Sequence, residues 1–490
     1  MFNNQNAPYY YVDHAALEAA LNNPIIASDS YKMSHFLQYP EKTEFVNSYI
    51  ESRGMATELV ASGYEDEMVF FGLQAFLKRY LTKQITQAHI DHAEQFAKDH
   101  GEPFNREGWE YIVREFDGYL PVSIDAVPEG SVVKTSNVLV QVINTVPEAY
   151  WLTSYIETIL LRAVWFPCTA ATQSREIKKV IAKYMDETAG HRNGIDFMLH
   201  DFGGRGANSK EGAQIGGAAH LVSFMGSDTM EAVEWLAPLY HAKMAAFSVP
   251  AAEHSTTTTW GGRKGEVESF RNMLDQFVGK YPIVSVVSDS YDIWNAIDNL
   301  WGGVLKDEVE RAGKMGSKLV IRPDSGDPTT VPVECVKRLM KKFGYTINEQ
   351  GYKVLPSYIG VLQGDGINID SIRQILQNLK DAGLSAENVV FGMGGKLIQG
   401  HMRDDFKFAM KANEITVDGQ KRDVFKDPIT DKGKISKRGR LSLIKTPSGY
   451  TTIREDRMGD KDRNQLVRYY ENGKMFVDYT LDGIRERAKI

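Results

Sequence analysis

His254 stands in VPAAEHS (249–255), preceded by Glu253 and followed within two residues by a run of four threonines. In such company a histidine suits a nucleophile or a proton-transfer group; a hydrogen-bonded structural histidine is the blander reading. IRPDSGDP (321–328) sets a cation, Arg322, two residues before a carboxylate, Asp324. That pairing fits a ligand carrying both anionic oxygens and hydroxyls, such as a sugar phosphate. LQGDG (362–366) offers Asp365 on a tight turn, for ribose hydroxyls or for Mg²⁺ through water. VVSDSYD (286–292) adds Asp289, and FGMGGK (391–396) has the glycines of a phosphate cradle, whose backbone N–H groups can approach an anion closely. Lys432–Arg440 holds five basic residues and no acid in an otherwise acidic chain. It reads either as solvated surface or as a flap that grips a polyphosphate.

The elements that must position these groups follow from their spacing. Seven times a short apolar run stops at a Gly/Asp/Ser-rich loop: the five loops above, HDFGGRG (200–206) and FMGSDT (224–229). A helical pattern usually follows each loop, which is the rhythm of strand–loop–helix modules in a parallel sheet. The chemistry lies after each strand, as it does on the active face of an α/β barrel. A doubly wound open sheet would place ligands at one switch point instead. The reading taken is an irregular, TIM-like α/β barrel with an α+β domain assembled from the N- and C-terminal segments. Its expected division is 1–160, 161–400 for the barrel, and 401–490. Residues 128–144 read as strands, 156–166 as a buried helix, and 84–100 as a solvated helix whose His89, His92 and His100 are surface groups, not metal ligands.

Composition excludes several classes. The chain carries a net charge of −7, so no general affinity for nucleic acid or anionic lipid is expected. Two cysteines cannot build a disulfide framework and suit a reducing compartment. MFNNQNAPYYYVDH lacks the pattern of an export signal, and no apolar run approaches the ~20 residues needed to span a bilayer. A cytoplasmic protein is expected.

Taken in order, DSYKMSHFLQYP (29–40), LHDFGGRG, GSDT, VPAAEHS, SVVSDSYDIWNA, IRPDSGDP, QGDG, FGMGG and VFKDP resemble the nicotinamide phosphoribosyltransferase family, from about residue 22 to the C-terminus. The resemblance implies a type II phosphoribosyltransferase: a homodimer with shared sites that joins nicotinamide to phosphoribosyl pyrophosphate in NAD salvage, with Mg²⁺, and with ATP as co-substrate. It implies that Phe202 and the partner subunit's Tyr31 sandwich the pyridine, that Arg205 and Ser285 line it, and that a buried Asp228 accepts a hydrogen bond from the carboxamide. Asp29, Arg322, Gly364, Asp365, Gly394, Gly395, Arg403 and Asp324 would hold ribose and 5′-phosphate. Arg53, Lys411, Lys426 and Arg440, with Arg403, would meet pyrophosphate and ATP phosphates. His254 would be phosphorylated by ATP, with Asp289 orienting it; no metal ligand is assigned. The chain departs from the pattern after Arg53, in the flap, and at Lys396, where the family has glycine.

Three other readings fit the chain less well. Nicotinate or quinolinate on the same fold would call for a cation where the chain has Asp228. A Schiff-base aldolase would need a strand-end lysine. A non-catalytic phosphate-ligand binder would have no need of His254, Asp289, Asp324 and Arg322 together.

Overall fold

The computed structural model describes residues 13, 17, 21–459 and 463–490. The opening segment, apart from Asp13, therefore lies outside the described residues, and the export-signal reading with it.

The strand–loop–helix modules form a parallel sheet. Six strands, in the order Gly226–Ser227, Leu199–Asp201, Val389–Met393, Ile359–Gln363, Lys318–Arg322 and Ile283–Val287, pair in parallel throughout. Sequences such as VVFGM and IGVLQ are apolar on both faces, as a sheet covered on both sides requires. The seventh expected strand, at 249–255, is reduced to isolated bridges. Gly226 pairs with Phe247, and Ala251 with Ser285, so this segment links the two sheet edges and closes the ring. Pro250 is the cause: it has no N–H to give, but its carbonyl accepts from Ser285 N at 2.9 Å. The ring is an irregular α/β barrel.

Helices cover the barrel. In Ile369–Asp381 the buried residues Ile369, Ile372, Ile375, Leu376 and Leu379 recur at helical spacing, and Asn368 caps the first turn by accepting from Asp370 N and Ser371 N. The apolar stretch at 156–166 opens a 32-residue helix, Glu157–Thr188, with Pro167 inside it. Gly72, at φ 104°, lies against that proline; a Cβ there would stand 2.5 Å from the ring.

A second sheet is antiparallel and is drawn from both ends of the chain. Its order is Gln420–Asp423, Phe408–Val417, Thr43–Ser52, Val138–Asn144, Val122–Ala126, Val467–Glu471 and Lys474–Met475. Tyr49 faces Lys411, and Ile50 faces Met410 across the central pair.

The 84–100 stretch forms the helix Gln87–His100, where His89 serves a capping box with Thr86. Among the described residues no group of three His, Cys, Asp or Glu could hold a metal ion. Both cysteines are free and buried. No described helix is long and apolar enough to cross a membrane.

Candidate active site

His254 opens a one-turn helix, His254–Thr258, and does not end a strand. Glu253 caps that turn through Thr256, so the imidazole is fixed at the mouth of the barrel. Its Nδ1 lies 2.9 Å from Ser290 Oγ, and its Nε2 lies 3.4 Å from Asp324 Oδ2 and 3.8 Å from Asp289 Oδ1. Asp289 is only 3% exposed. Its Oδ2 accepts from Asp324 N at 2.9 Å and from the Ser325 hydroxyl, which locks the 286–292 and 321–328 loops together. Its Oδ1 is buried with no hydrogen-bond partner, and so is Arg322 Nε. Arg322 reaches Asp324 at 3.4 Å. Buried polar atoms without partners are rare in folded proteins. Here an acceptor and a donor are both open beside an imidazole, the equipment of a phosphate-handling site.

Phe202 leaves the strand Leu199–Asp201 held by a bond from its N–H to Met393 O, 2.9 Å. Its ring lies over two glycines. A Cβ at Gly392 would meet the ring at 2.1 Å, and one at Gly364 would approach it to 3.6 Å and Asp324 Oδ1 to 3.7 Å. Asp228, expected to be buried, is exposed in this chain. It stands at the end of a two-residue strand and accepts a hydrogen bond from the Ser248 hydroxyl. Arg205 is 89% exposed, 4.0 Å from Glu253. Ser285 is buried mid-strand, exchanging backbone bonds with Pro250 and Ala252.

Gly394 and Gly395 begin a helix of only four residues, Gly395–Ile398, so backbone N–H groups rather than a long helix dipole are what the loop can offer an anion. It packs on the 200–206 loop; a Cβ at Gly206 would fall 2.9 Å from Gly395 Cα. Asp365 is exposed, with Gln363 Nε2 bonded to its carbonyl at 2.9 Å. His254, Asp289, Asp324, Arg322, Phe202 and Gly364 are thus brought together, with the 394–395 loop against their rim.

The remaining cations gather on the antiparallel sheet. Arg53 Nε donates to Lys407 O at 3.3 Å. Burial pushes the Lys411 ammonium below its ordinary range, and the charges of Arg53, Lys426 and Arg403 push it further while Glu157 opposes them. Four of the expected phosphate-binding cations therefore share one field. Arg403 is also bonded to Asp404 at 3.0 Å, and Arg440 lies 3.3 Å from Glu455. The flap is less free than its sequence suggests: Lys432 pairs with Asp427, Lys434 with Asp431 and Lys437 with Glu51, and Arg438 lies over the Phe425 ring at 4.0 Å.

Tyr31 and Asp29 stand apart from the barrel mouth. Asp29 accepts from Thr158 Oγ1 at 2.6 Å. Tyr31 is 56% exposed, and its ring neighbour is His35 at 5.2 Å, whereas that of Phe202 is His200 at 6.2 Å. Among the described residues no ring contact joins Tyr31 to Phe202.

Sequence reasoning missed Ser290, Ser325 and Ser248, the hydroxyls bonded to His254, Asp289 and Asp228. The first two do lie inside quoted loops, which was the available signal. It also missed Gly392, recognisable only once the Phe202 ring is seen above it. Cavity volume is no guide: cavities of about 690 and 520 Å³ lie elsewhere, one among Glu65, Arg175 and Lys179, the other among Phe76, Trp109 and Trp165.

Residues 197–474 match the model of the nicotinate phosphoribosyltransferase (NAPRTase) family, and residues 23–124 match the N-terminal domain of nicotinamide phosphoribosyltransferase. The chain is 47% identical over 475 residues to a nicotinamide phosphoribosyltransferase of Xanthomonas campestris pv. campestris, covering 96% of this chain and 98% of that one. It is 35% identical to one from Acinetobacter baylyi, covering 95% and 97%. Among solved structures it is similar to a nicotinate-nucleotide pyrophosphorylase from Pyrococcus furiosus (TM-score 0.61, 15% identity, 98% and 97% covered). It is also similar to human nicotinic acid phosphoribosyltransferase (TM-score 0.55, 16% identity, 94% and 92% covered). At such identities the structures share the fold.

Proposed function

The chain belongs to the nicotinate phosphoribosyltransferase family and, within it, to the nicotinamide phosphoribosyltransferases, and from that premise we propose that it joins nicotinamide to 5-phosphoribosyl 1-pyrophosphate, in NAD salvage, with ATP hydrolysis coupled through His254. The observation that carries the choice of base is Asp228, a carboxylate held by Ser248 two residues beyond Gly226 on the strand paired with that of Phe202. A carboxylate accepts from a carboxamide NH₂ and repels a carboxylate substrate. Relatives named for nicotinamide support the same choice.

In the reaction the pyridine nitrogen bonds to C1 of the ribose as the C1–oxygen bond to pyrophosphate breaks. Phe202 orients the ring by stacking, Arg322 and the 394–395 backbone hold the 5′-phosphate, and Asp324 and Asp365 meet the ribose hydroxyls. Catalysis of this kind is orientation plus neutralisation of the leaving charge. Arg53, Lys411, Lys426 and Arg403 supply that positive field. Mg²⁺ would come with the substrate: no described three-ligand cage exists, and Asp324 and the neighbouring Asp289 Oδ1 are oxygen donors that would hold it together with phosphates. When bound, it would neutralise pyrophosphate charge. His254 would accept the phosphoryl group of ATP, oriented by Ser290 and Asp289.

Tyr31 is exposed and makes no ring contact with Phe202, which supports a homodimer in which Tyr31 of one subunit completes the site of the other. Pyrophosphate release with nicotinamide and with nicotinate, each in the presence of phosphoribosyl pyrophosphate, tests the reading. Release with nicotinamide at a kcat/KM on the order of 10⁴-fold above nicotinate is expected; preference for nicotinate, or no release, defeats it.

A further inference from the structure

Two glycines in the barrel wall admit two rings, one beyond the other. Phe202 lies over Gly392 as described. Two residues earlier, His200 lies on the strand Leu199–Asp201 opposite Gly392 in the parallel register, the same glycine over which the Phe202 ring sits. Gly226, its partner in the parallel register, leaves the space the imidazole fills: a Cβ there would stand 2.5 Å from Nδ1. The His200 and Phe202 rings lie 6.2 Å apart at 41°. Asp228 follows Gly226 by two residues, and its charge acts on the imidazole.

We propose that His200, lodged beside Phe202 and within the field of Asp228, is a positioning residue that sets which pyridine the base site accepts. This rests on the reading of Asp228 given above. The Phe197 carbonyl, from the turn before its own strand, accepts from the imidazole, the Asp228 charge acts on it, and its own charge would act on His220 in the helix Lys210–His220. His220 is neutral, driven down to about 3 by burial. Burial likewise pushes His200 below its ordinary value, outweighing Asp228. A ring whose burial disfavours its protonated form leaves the Asp228 charge uncancelled, and it is that charge which turns a carboxylate away. A cation at position 200 would pair with Asp228 and give a carboxylate substrate somewhere to bind.

The test compares kcat/KM for nicotinamide and nicotinate in His200→Gln and His200→Lys, each alone and with Asp228→Asn. His200→Lys is expected to raise the nicotinate-to-nicotinamide ratio by roughly tenfold or more, and His200→Gln to leave it within about twofold. In the Asp228→Asn background the lysine effect should change in size, because part of it comes from cancelling the Asp228 charge. A folded His200→Lys enzyme with the wild-type ratio overturns the proposal, as does an equal shift in both backgrounds. If the lysine prevents folding, Gly226→Ala decides: its methyl displaces the imidazole, and KM for nicotinamide should rise while KM for phosphoribosyl pyrophosphate stays. An unchanged nicotinamide KM then counts against His200. Wild-type enzyme that does not use nicotinamide sinks the earlier reading instead.

Discussion

At the scale of single residues, His254 has one nitrogen beside a neutral hydroxyl and the other facing two carboxylates. In the proposed reaction it is not the group that attacks the sugar, so its removal should separate two activities. His254→Ala should abolish ATP hydrolysis coupled to turnover while some ATP-independent synthesis of nicotinamide mononucleotide persists. Parallel assays of ADP and mononucleotide check this, and continued ATP hydrolysis in step with product would remove His254 from the phosphoryl path. The acids and cations of the site were legible in the sequence because their types and loop positions are chemically unusual together. Their hydroxyl partners were not, since Ser248 meets Asp228 only through the ring closure between Phe247 and Gly226. Nor was the exposure of Asp228 legible; it follows from a strand that ends after two residues.

At the scale of elements, the barrel is readable from its repeated strand–loop–helix rhythm, except where a proline sits inside the 249–255 module. Pro250 leaves an accepting carbonyl where a strand would also donate, so the module closes the ring through bridges. A strand glycine carries the opposite lesson. Gly392 lies within Val389–Met393, where glycine weakens a strand unless something must come close. Here that something is the Phe202 ring, and a methyl group would meet it at 2.1 Å. Gly392→Ala must therefore displace the ring. The expected cost in stability is about 1–3 kcal/mol of overpacking. A rise in nicotinamide KM of roughly tenfold or more should accompany it, since a misplaced orienting group costs far more in function than in folding. Urea melts beside KM values for both substrates measure the split; an unaltered nicotinamide KM would show that Phe202 does not seat the base.

At the scale of the whole molecule, both ends of the chain meet the barrel at one buried carboxyl, which no sequence pattern announces. Glu129 is fully buried in the turn before Val132–Lys134, and its Oε1 accepts from Gln74 N at 2.7 Å. The Tyr240 hydroxyl, at the end of the barrel helix Met230–Tyr240, and the Gly72 backbone N–H also bond the Glu129 carboxyl. Gln74 Nε2 bonds Leu239 O at 2.8 Å and Tyr479 O at 3.0 Å, while Arg487 Nε bonds Glu129 O at 2.6 Å. Burial raises the Glu129 carboxyl from 4.5 to about 7 despite the donors around it. The folded state thus binds this proton more tightly than the unfolded chain does. Its stabilising contribution is complete below about pH 4.5 and is lost as pH rises through about 7. At about 1.4 kcal/mol per unit, the loss is about 3 kcal/mol. His220 acts in the other sense. Its imidazole, ordinarily at 6.5 and driven to about 3, costs stability as pH falls below 6.5. Between about pH 4.5 and 6.5 the two slopes oppose and nearly cancel, so from these two groups stability should be level there and fall below and above it. Glu129→Gln keeps an acceptor for Gln74 and cannot ionise, so it should abolish the loss that Glu129 contributes between about pH 4.5 and 7 and let the His220 limb run up to about 6.5. Urea unfolding across that range compares the two proteins, and parallel declines in both would show that the carboxyl joining barrel and sheet is not what the alkaline side titrates.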